Sequence, residues 1–356
     1  MYKVNSNGIH NKEKASHYFK KYGIALLFLI PFFTFFVIFF IYPLINGITM
    51  SFYHYNMVDP SDTYFVGFKN YFDFLFVKEK PIIIEGEPIY NADGSIMTEK
   101  NPSFYGFWYG LLYTVLYCLV IVPVSIILPF FLALGIKKKP YGFKIFRSLI
   151  YLPSTFAVSS TGAAFAFLFQ NGENGFINHL FGINYQWFNN RFSAWFVIFL
   201  LCLYNIGGNF VIIAAGLENV NKSLYEAAEV DGSTTWDKIR YVTIPGIKYQ
   251  LIICTFNTII GYMNVYGQMR VLTGGGPADP QHSERPGLTH SIVYVIQDKL
   301  TGAGKFSTAG SISAMCIILG IIIGLITTVQ LIVTRDKKGG DKYEKKFIQY
   351  FQGNSL

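Results

Sequence analysis

The sequence predicts an all-α transmembrane protein with six membrane-spanning helices. Of its 356 residues, 52% are hydrophobic and 14% are charged, whereas a soluble domain usually carries about 25% charged residues. Six stretches contain no Asp, Glu, Lys or Arg, and each can hold the roughly 20 apolar residues that cross a bilayer. Because charge is costly at mid-membrane, we place the spans in these stretches, near 23–45, 109–135, 148–169, 193–215, 249–270 and 309–333.

The distribution of Lys and Arg predicts the orientation. With six spans, both termini lie on one side of the membrane. The two termini, together with residues 137–147 and 216–248, carry 20 of the 29 basic residues. Loops rich in Lys and Arg stay in the cytoplasm, so this side is predicted to be cytoplasmic. The net charge of +8 follows from the same asymmetry, and no nucleic-acid partner is needed to explain it.

This topology divides the chain into three regions. Residues 1–22 form a cytoplasmic N-terminal tail, residues 23–333 the transmembrane domain, and residues 334–356 a basic cytoplasmic C-terminal tail. The first apolar run is too long for a signal peptide and no small-residue cleavage site follows it, so it is interpreted as an uncleaved span.

The outer loop after span 1 contains a small insert at residues 80–102. Isoleucine-rich segments flank turn signals at Glu85-Gly86 and Asp93-Gly94, which predicts a β-hairpin. The hairpin is either a solvated decoration or a contact surface for another protein.

Spans 4 and 5 carry polar side chains inside apolar windows. In span 5 these residues recur at offsets of 0, 4, 7 and 11, which places them on one face of a helix. Polar groups in a membrane face the protein interior or a water-filled path, so this face is either a substrate pathway or a set of interhelical hydrogen bonds. The candidate pathway residues are Asn205, Asn209, Asn257, Gly261, Tyr262, Asn264 and Gln268.

The loop between spans 4 and 5, residues 216–248, predicts two short helices. Ser223 and Glu226 have the spacing of a capping box, which predicts a helix beginning at Leu224. Gly232 is a natural stop, because glycine adopts the left-handed conformation at little cost.

Thr234 and Asp237 repeat the capping-box spacing and predict the second helix, which Pro245 is expected to end. In the first helix, Ala227 and Ala228 have almost no side chain, so another surface could approach the backbone closely.

This loop resembles the EAA loop of permease subunits in binding-protein-dependent ABC importers. The resemblance rests on Glu226-Ala227-Ala228, on Asp231-Gly232, which is similar to the carbohydrate branch (maltose, glycerol-phosphate and multiple-sugar type), and on Ile244-Pro245. Thr243-Ile244-Pro245 departs conservatively from the family's Thr-Leu-Pro. In the family the loop is a coupling helix that sits in a groove of the ATP-hydrolysing subunit. The resemblance therefore assigns coupling to Glu226, Ala227, Ala228, Asp231 and Gly232.

Other segments extend the resemblance from about residue 65 to 333. Residues 65–71 resemble the family's Phe-x-Gly-x-x-Asn-Tyr segment, and Thr273-Gly274-Gly275-Gly276-Pro277 resembles the Thr-x-Gly-Gly-Pro segment of carbohydrate permeases. In the family the latter lies in an outer loop that faces the binding protein.

The resemblance implies a six-helix ABC importer permease fold in the bacterial inner membrane, with sugar or oligosaccharide as cargo. It also implies four partners: a second permease subunit of a different kind, two ATP-binding subunits and an extracellular solute-binding protein, with lipid around the spans. ATP and Mg are expected in the partner ATPase and no cofactor in this chain. The alternatives are an ABC permease for a non-sugar solute and an ion-coupled secondary transporter.

The chain has no Walker lysine motif and no catalytic pattern, so it is not expected to be an enzyme and no catalytic residue is assigned. The six histidines have no metal-site spacing, so no metal ligand is assigned either. The four cysteines fall within predicted spans and are interpreted as small buried hydrophobic residues: Cys118, Cys202, Cys254 and Cys316.

Overall fold

The computed structural model describes residues 27–55, 60–84, 87–91, 93–279, 282–283, 285–301 and 309–335. Apart from residues 334 and 335, the predicted tails lie outside the described residues. The chain divides into a small unit, Met1–Asn70 with Thr308–Ala314, and a large unit, Tyr71–Ser307 with Met315–Leu356.

The small unit is built around one apolar helix, α1, Leu27–Met50. None of its most apolar stretch is buried within the chain, and its turn Val37–Ile41 is π-helical. The rings of Phe32, Phe36 and Phe40 stack along one face at centroid distances of 5.9 and 5.0 Å. Such a helix is apolar on all sides, as a membrane span is, and it extends beyond the C-terminal end predicted for span 1.

After α1 the backbone folds into two short antiparallel strands, β1 (Tyr53–His54) and β2 (Tyr64–Phe65). Asn70 fixes this turn, because its buried Nδ2 donates to the carbonyl oxygens of Ser51 and Tyr53 at 2.8 and 2.9 Å. The asparagine of the Phe-x-Gly-x-x-Asn pattern therefore closes the small unit.

The remaining α-helices lie wholly or mainly in the large unit, and all but the single turn Ile244–Gly246 are numbered. In chain order they are α2 (Lys69–Leu75), α3 (Pro102–Lys137), α4 (Phe143–Tyr151), α5 (Val158–Leu168), α6 (Phe176–Phe181), α7 (Arg191–Tyr204), α8 (Gly207–Glu218), α9 (Lys222–Val230), α10 (Thr235–Asp237), α11 (Lys248–Met263), α12 (Gly267–Leu272), α13 (Ile292–Thr301) and α14 (Ala309–Arg335).

Helix α3 is the centre of the large unit, and it packs against α8, α11 and α13. The side chain of Asn101 caps its first turn by accepting from the backbone N–H of Ser103. The helix continues through Pro123 and Pro129. Proline is tolerated within a membrane helix when neighbouring groups bind the carbonyls that it leaves free.

The insert before α3 is a small arm of paired strands. Strand β3 (Glu79–Pro81) pairs antiparallel with β6 (Thr98–Lys100), and β4 (Ile83–Ile84) pairs with β5 (Glu87–Pro88). The N–H of Ile82 also donates to the carbonyl of Met97. The predicted hairpin is confirmed, with a second, smaller ladder added at its tip.

Two of the predicted spans are bent helix pairs. Residues Phe143–Thr155 and Val158–Leu168 meet at 98°, and α7 meets α8 at 43°. Pro153 stands just before the first break, where a 3₁₀ turn ends and Ala157 becomes extended. The second break falls at Asn205 and Ile206, directly before two glycines.

Only three described helices, α1, α3 and α14, are long and apolar enough to cross a membrane unbroken. Counting each bent pair as one span raises the number among the described residues to five. The predicted span 249–270 is divided between α11, with 16 residues, and the short helix α12. All six predicted windows are mainly helical in the residues that the structure describes, but the sequence pattern did not reveal that half of them are interrupted.

The core on the side of α9 is made by α3, α8 and α11. It contains Phe130, Phe210, Ile213, Leu217 and Ile247, all 7% exposed or less. Of the four cysteines, three are buried as predicted, but Cys316 on α14 is exposed, because little of that helix is buried by the described residues.

Candidate functional site

All seven candidate pathway residues line one cavity of about 420 Å³ in the large unit. Two helix breaks create it. The α7–α8 break places Asn205 at the wall, and the α11–α12 break does the same for Asn264. Both asparagines end their helices with nearly identical backbone angles, φ −98° and ψ 22° or 14°. Gln268 therefore reaches the cavity from α12 and not along one continuous helix, as its spacing had suggested.

The cavity wall is uncharged and combines polar groups with apolar side chains. Amides, hydroxyls and glycine backbone alternate with tyrosine rings, and none of the lining residues described by the structure is Asp, Glu, Lys, Arg or His. Gly208 and Gly261 leave open space, since a Cβ at either position would meet no other atom within 4 Å. The wall therefore offers hydrogen-bond partners and aromatic faces to a neutral solute.

The polar side chains of the wall differ in how far they are already paired. The Nδ2 groups of Asn205 and Asn264 donate to the Leu201 and Ile260 carbonyls of their own helices, at 3.3 and 2.8 Å. Asn257 accepts from Gln330 of α14 at 3.4 Å. The amide oxygens of Asn205 and Asn264 accept no hydrogen bond within the described part of the chain, so they are available to a ligand.

Asn209 makes hydrogen bonds between helices. Its Nδ2 donates to the Ser125 carbonyl of α3 and to Thr258 Oγ1 of α11, both at 2.9 Å. Tyr262 Oη lies 3.5 Å from Ser125 Oγ at the same junction. These contacts join the three helices that surround the cavity.

Helix α9 forms the second candidate site. It begins at Lys222 because the side chain of Asn221 accepts from the N–H of Ser223 at 3.0 Å. The predicted start at Leu224, with Ser223 and Glu226 as a capping box, was therefore wrong. The cap lies two residues earlier, so Glu226 is too far along the helix to return a bond to it.

The predicted stop at Gly232 is confirmed. Gly232 has φ +72°, and its N–H donates to the Glu229 carbonyl, while the N–H of Ser233 donates to the Ala228 carbonyl. This pair of bonds is the Schellman motif, which favours glycine at the left-handed position.

The second helix begins as predicted, with a capping box between Thr234 and Asp237. Hydrogen bonds from the Thr234 side chain and backbone hold the pKa of Asp237 below its usual value. Pro245 does not end the helix. The chain continues through a π-helical segment, Lys238–Thr243, and Pro245 stands in the first turn of Ile244–Gly246, where a missing N–H costs little.

The two faces of α9 have different environments. Leu224, Tyr225 and Ala228 pack on the core of α3, α8 and α11, and Ala228 is only 2% exposed. The expectation that both alanines face another surface therefore fails for Ala228, since this chain's own helices cover it. Glu226, Ala227, Asp231 and Gly232 are exposed.

Two exposed apolar side chains on this surface were not predicted as site residues. Val230 is 88% exposed and Trp236 is 60% exposed, although both are large and apolar. We call the exposed residues Glu226, Ala227, Val230, Asp231, Gly232 and Trp236 the projecting face.

Residues 94–335 match the family model described as "Binding-protein-dependent transport system inner membrane component", which covers more than half of the chain. The chain belongs to this family. The described helices are those of an ABC importer permease, and the protein is an inner-membrane transport component.

Curated relatives of this permease align with most of its length. It is 28% identical over 330 residues to the arabinooligosaccharides transport system permease protein AraP of Bacillus subtilis, covering 90% of this chain and 92% of AraP. It is 27% identical to the lactose transport system permease protein LacF of Rhizobium radiobacter, covering 65% and 77% of the two chains.

The fold is also found in a solved structure. A chain of a bacterial ABC transporter involved in the import of alginate matches with a TM-score of 0.68, covering 91% of this permease and 99% of that chain. The sequence identity is 16%, so this match supports the fold alone.

The glycine segment of this permease, residues 273–277, is a packed structure. Thr273 Oγ1 and Thr289 Oγ1 lie 2.8 Å apart, and Tyr294 Oη donates to the Gly274 carbonyl at 2.6 Å. Gly275 has φ +87°, and a Cβ there would overlap the ring of His290, which stacks on Tyr294 at 4.3 Å. Only glycine fits under that ring.

Proposed function

We propose that this permease carries a sugar or oligosaccharide, delivered by an extracellular solute-binding protein, into the cytoplasm at the expense of ATP. The observation that carries the proposal is the environment of α9. One face of this helix packs against the helices that build the cavity, and the opposite face is exposed. This is the arrangement that a docked ATPase subunit needs in order to move the cavity wall.

The cavity supports a sugar as cargo. Its volume lies within the range of roughly 300–1,000 Å³ that is usual for small-molecule sites. Amides hydrogen-bond to hydroxyl groups in either direction, and Tyr262 and Tyr266 offer ring faces to the apolar faces of a sugar. The similarity to AraP and LacF, an arabinooligosaccharide and a lactose permease, supports the same class of cargo.

A direct mechanical connection supports the coupling role. Helix α8 carries Asn209 at the cavity and ends at Glu218, only a few residues before α9 begins. Ala228 and Val242 bury themselves against the same core as Ile213 and Leu217 of α8. A push on the projecting face is therefore transmitted to the cavity wall through packed side chains, because a close-packed core deforms little.

The proposal includes the remaining parts of the transporter. A second, different permease chain would complete the pathway. Two ATP-binding subunits would bind ATP and Mg, hydrolyse the ATP and contact the projecting face. This chain would need no cofactor of its own. Both termini would lie in the cytoplasm, as the basic residues predict.

Two other functions fit the features of the chain less well. An ion-coupled secondary transporter usually has charged residues within the membrane, and no charged side chain lines the described cavity wall. A permease for an amino acid or a metal ion would also be expected to present charge to its cargo.

The test is uptake of a labelled sugar by the assembled transporter. Glu226→Lys reverses charge on the projecting face, and Gly232→Pro forbids the positive φ of the Schellman motif. We expect both to abolish uptake and the stimulation of ATPase activity by loaded binding protein, while the protein still inserts. Glu173→Lys, an equal charge change at an exposed position in an outer loop, is the control and should transport normally. Normal uptake by both loop variants would refute the coupling role.

A further inference from the structure

A small basic pit lies where α3 ends and α4 crosses α8. The cavity measures about 50 Å³. Its floor consists of alanine, leucine, isoleucine and phenylalanine side chains of α3 and α8, and its rim carries Lys137, Lys139, Arg147 and Glu218. Arg147 Nη1 contacts Glu218 Oε1 at 3.1 Å, so two lysines remain as excess positive charge at the rim. An apolar floor with a cationic rim is suited to a ligand that has an anionic end and an apolar end.

Helix α4 beside the pit has the form of an interfacial helix. It lies at 98° to α5, so if α5 runs along the membrane normal, α4 runs along the membrane surface. Phe143, Arg147 and Ile150 face the rest of the chain, since they are half-buried and recur at helical spacing. On another side, Ile145 and Leu149 are 67% and 57% exposed.

The exposed stripe of α4 continues around the helix to Phe146, which is 55% exposed, and then to Leu152 at the start of the following 3₁₀ turn, which is 50% exposed. Lys144 and Ser148 lie on the flank between this stripe and the packed face. A short helix with an apolar stripe, a packed face and a polar flank binds at the level of lipid headgroups.

We propose that the pit binds the phosphate of an anionic phospholipid through Lys137 and Lys139. The acyl chains of that lipid lie along the exposed stripe of α4. Arg147, held by Glu218, lines the wall behind the phosphate. The charge and the apolar stripe together favour lipid over a soluble anion, which would use the lysines but not Ile145, Phe146 and Leu149.

The pit adjoins α9, in the loop of residues 216–248 that is proposed to couple to the ATPase. Lys137 Nζ lies 3.9 Å from the centre of the Tyr225 ring, on the packed face of α9. A cation at this distance is attracted to the ring. A phosphate in the pit would share this lysine, so the bound lipid would contact the group that supports α9. The inference rests on the proposed orientation, which places α4 in the leaflet that faces the cytoplasm.

The experiment measures phospholipid that stays with the purified protein. The full transporter complex is reconstituted in nanodiscs of phosphatidylcholine and phosphatidylglycerol, extracted into neutral detergent, and analysed for retained phosphatidylglycerol by mass spectrometry. Lys137→Gln/Lys139→Gln should lower retention by roughly tenfold, since each basic residue near an anionic headgroup contributes a large part of the attraction. Lys138→Gln/Lys222→Gln removes the same charge from exposed positions outside the pit lining and should leave retention unchanged.

Three outcomes would overturn the proposal. Equal loss in both double variants would show a diffuse charge effect and no site. Loss of the ATP-binding subunits with normal lipid retention would show that the pit docks protein. Failure of Lys137→Arg/Lys139→Arg to restore retention would show that charge is not the cause. Retention is measured without transport, so it can fail while the proposed function stands, and labelling of Tyr141→Cys by an impermeant reagent tests the orientation separately.

Discussion

Asn209 illustrates how one residue can line a cavity and also make hydrogen bonds that hold the helices together. Pro129 has no N–H, so it leaves free the carbonyl four residues earlier in α3, which is that of Ser125. Asn209 donates to that carbonyl at 2.9 Å, and the same amide reaches Thr258 on α11. The sequence left open a pathway or interhelical hydrogen bonds; Asn209 makes such hydrogen bonds and also lines the cavity.

Asn209→Leu is therefore expected to destabilise the protein. It leaves the Ser125 carbonyl buried without a donor, which costs about 1–3 kcal/mol. Adding Pro129→Ala should recover much of the loss, because alanine supplies the N–H that proline lacks. The melting temperatures of the purified single and double variants measure both effects. Asn205→Leu is the control: its amide donates only within its own helix, so stability should change little.

The prediction is tested by the order of the melting temperatures of the variants. If Asn209→Leu/Pro129→Ala melts no higher than Asn209→Leu, the Ser125 carbonyl is not the reason for Asn209. A similar loss in Asn205→Leu would point instead to a general intolerance of apolar side chains in the cavity wall.

At the scale of elements, the ends of α9 show what the sequence can and cannot predict. Its stop followed from Gly232, because the left-handed position is a local requirement. Its start did not, since Asn221 and Ser223 are both good caps and only packing on the core selects between them.

The buried side of α9 was also missed. Leu224 and Ala228 have the i, i+4 spacing of one face, a signal that could have separated Ala228 from the exposed Ala227. The bend at Asn205 and the break at Asn264 also had a signal in the sequence, namely polar residues beside glycine within a span. These residues were interpreted only as the polar face of a helix, so the breaks were missed. Exposure of Val230 and Trp236 could not be predicted, because apolar type alone favours burial.

The contact between the glycine segment, residues 273–277, and His290 carries a pH prediction. Burial against Tyr294 and Gly275 lowers the pKa of His290 to about 4, whereas an unfolded histidine titrates near 6.5. Between these values the unfolded chain binds the proton and the folded chain does not, so stability is full above pH 6.5 and falls as pH drops toward 4. Nearby Asp298 opposes the shift but does not cancel it.

Melting temperature between pH 7 and pH 4.5 measures this effect. His290→Gln removes the titrating group, so its profile should fall less steeply over this interval than that of the unchanged protein. Glutamine keeps a polar side chain of similar reach. His179→Gln, which changes an exposed histidine on α6, is the matched control and should leave the slope unaltered. Parallel profiles for His290→Gln and the unchanged protein would contradict the burial argument.

At the scale of the whole molecule, the proposed transport cycle requires α9 to lie on the cytoplasmic side and to be covered by a partner. Two adjacent residues test both requirements. Ala227 is exposed and Ala228 is 2% exposed, so a cysteine at 227 should react with a thiol reagent and one at 228 should not. Cys118, Cys202 and Cys254 are buried and can stay, while the exposed Cys316 is first replaced by serine.

In oriented membrane vesicles, Ala227→Cys should be labelled by an impermeant maleimide only from the cytoplasmic side, and Glu173→Cys only from the outside. Adding the ATP-binding subunits should protect Ala227→Cys, because the projecting face is the surface on which they are proposed to dock. Labelling of Ala227→Cys from the outside would reverse the orientation. Unchanged labelling in the presence of bound ATP-binding subunits would show that these subunits do not dock on α9. The coupling role would then fail, because α9 can transmit force to the core only if the partner contacts its exposed face.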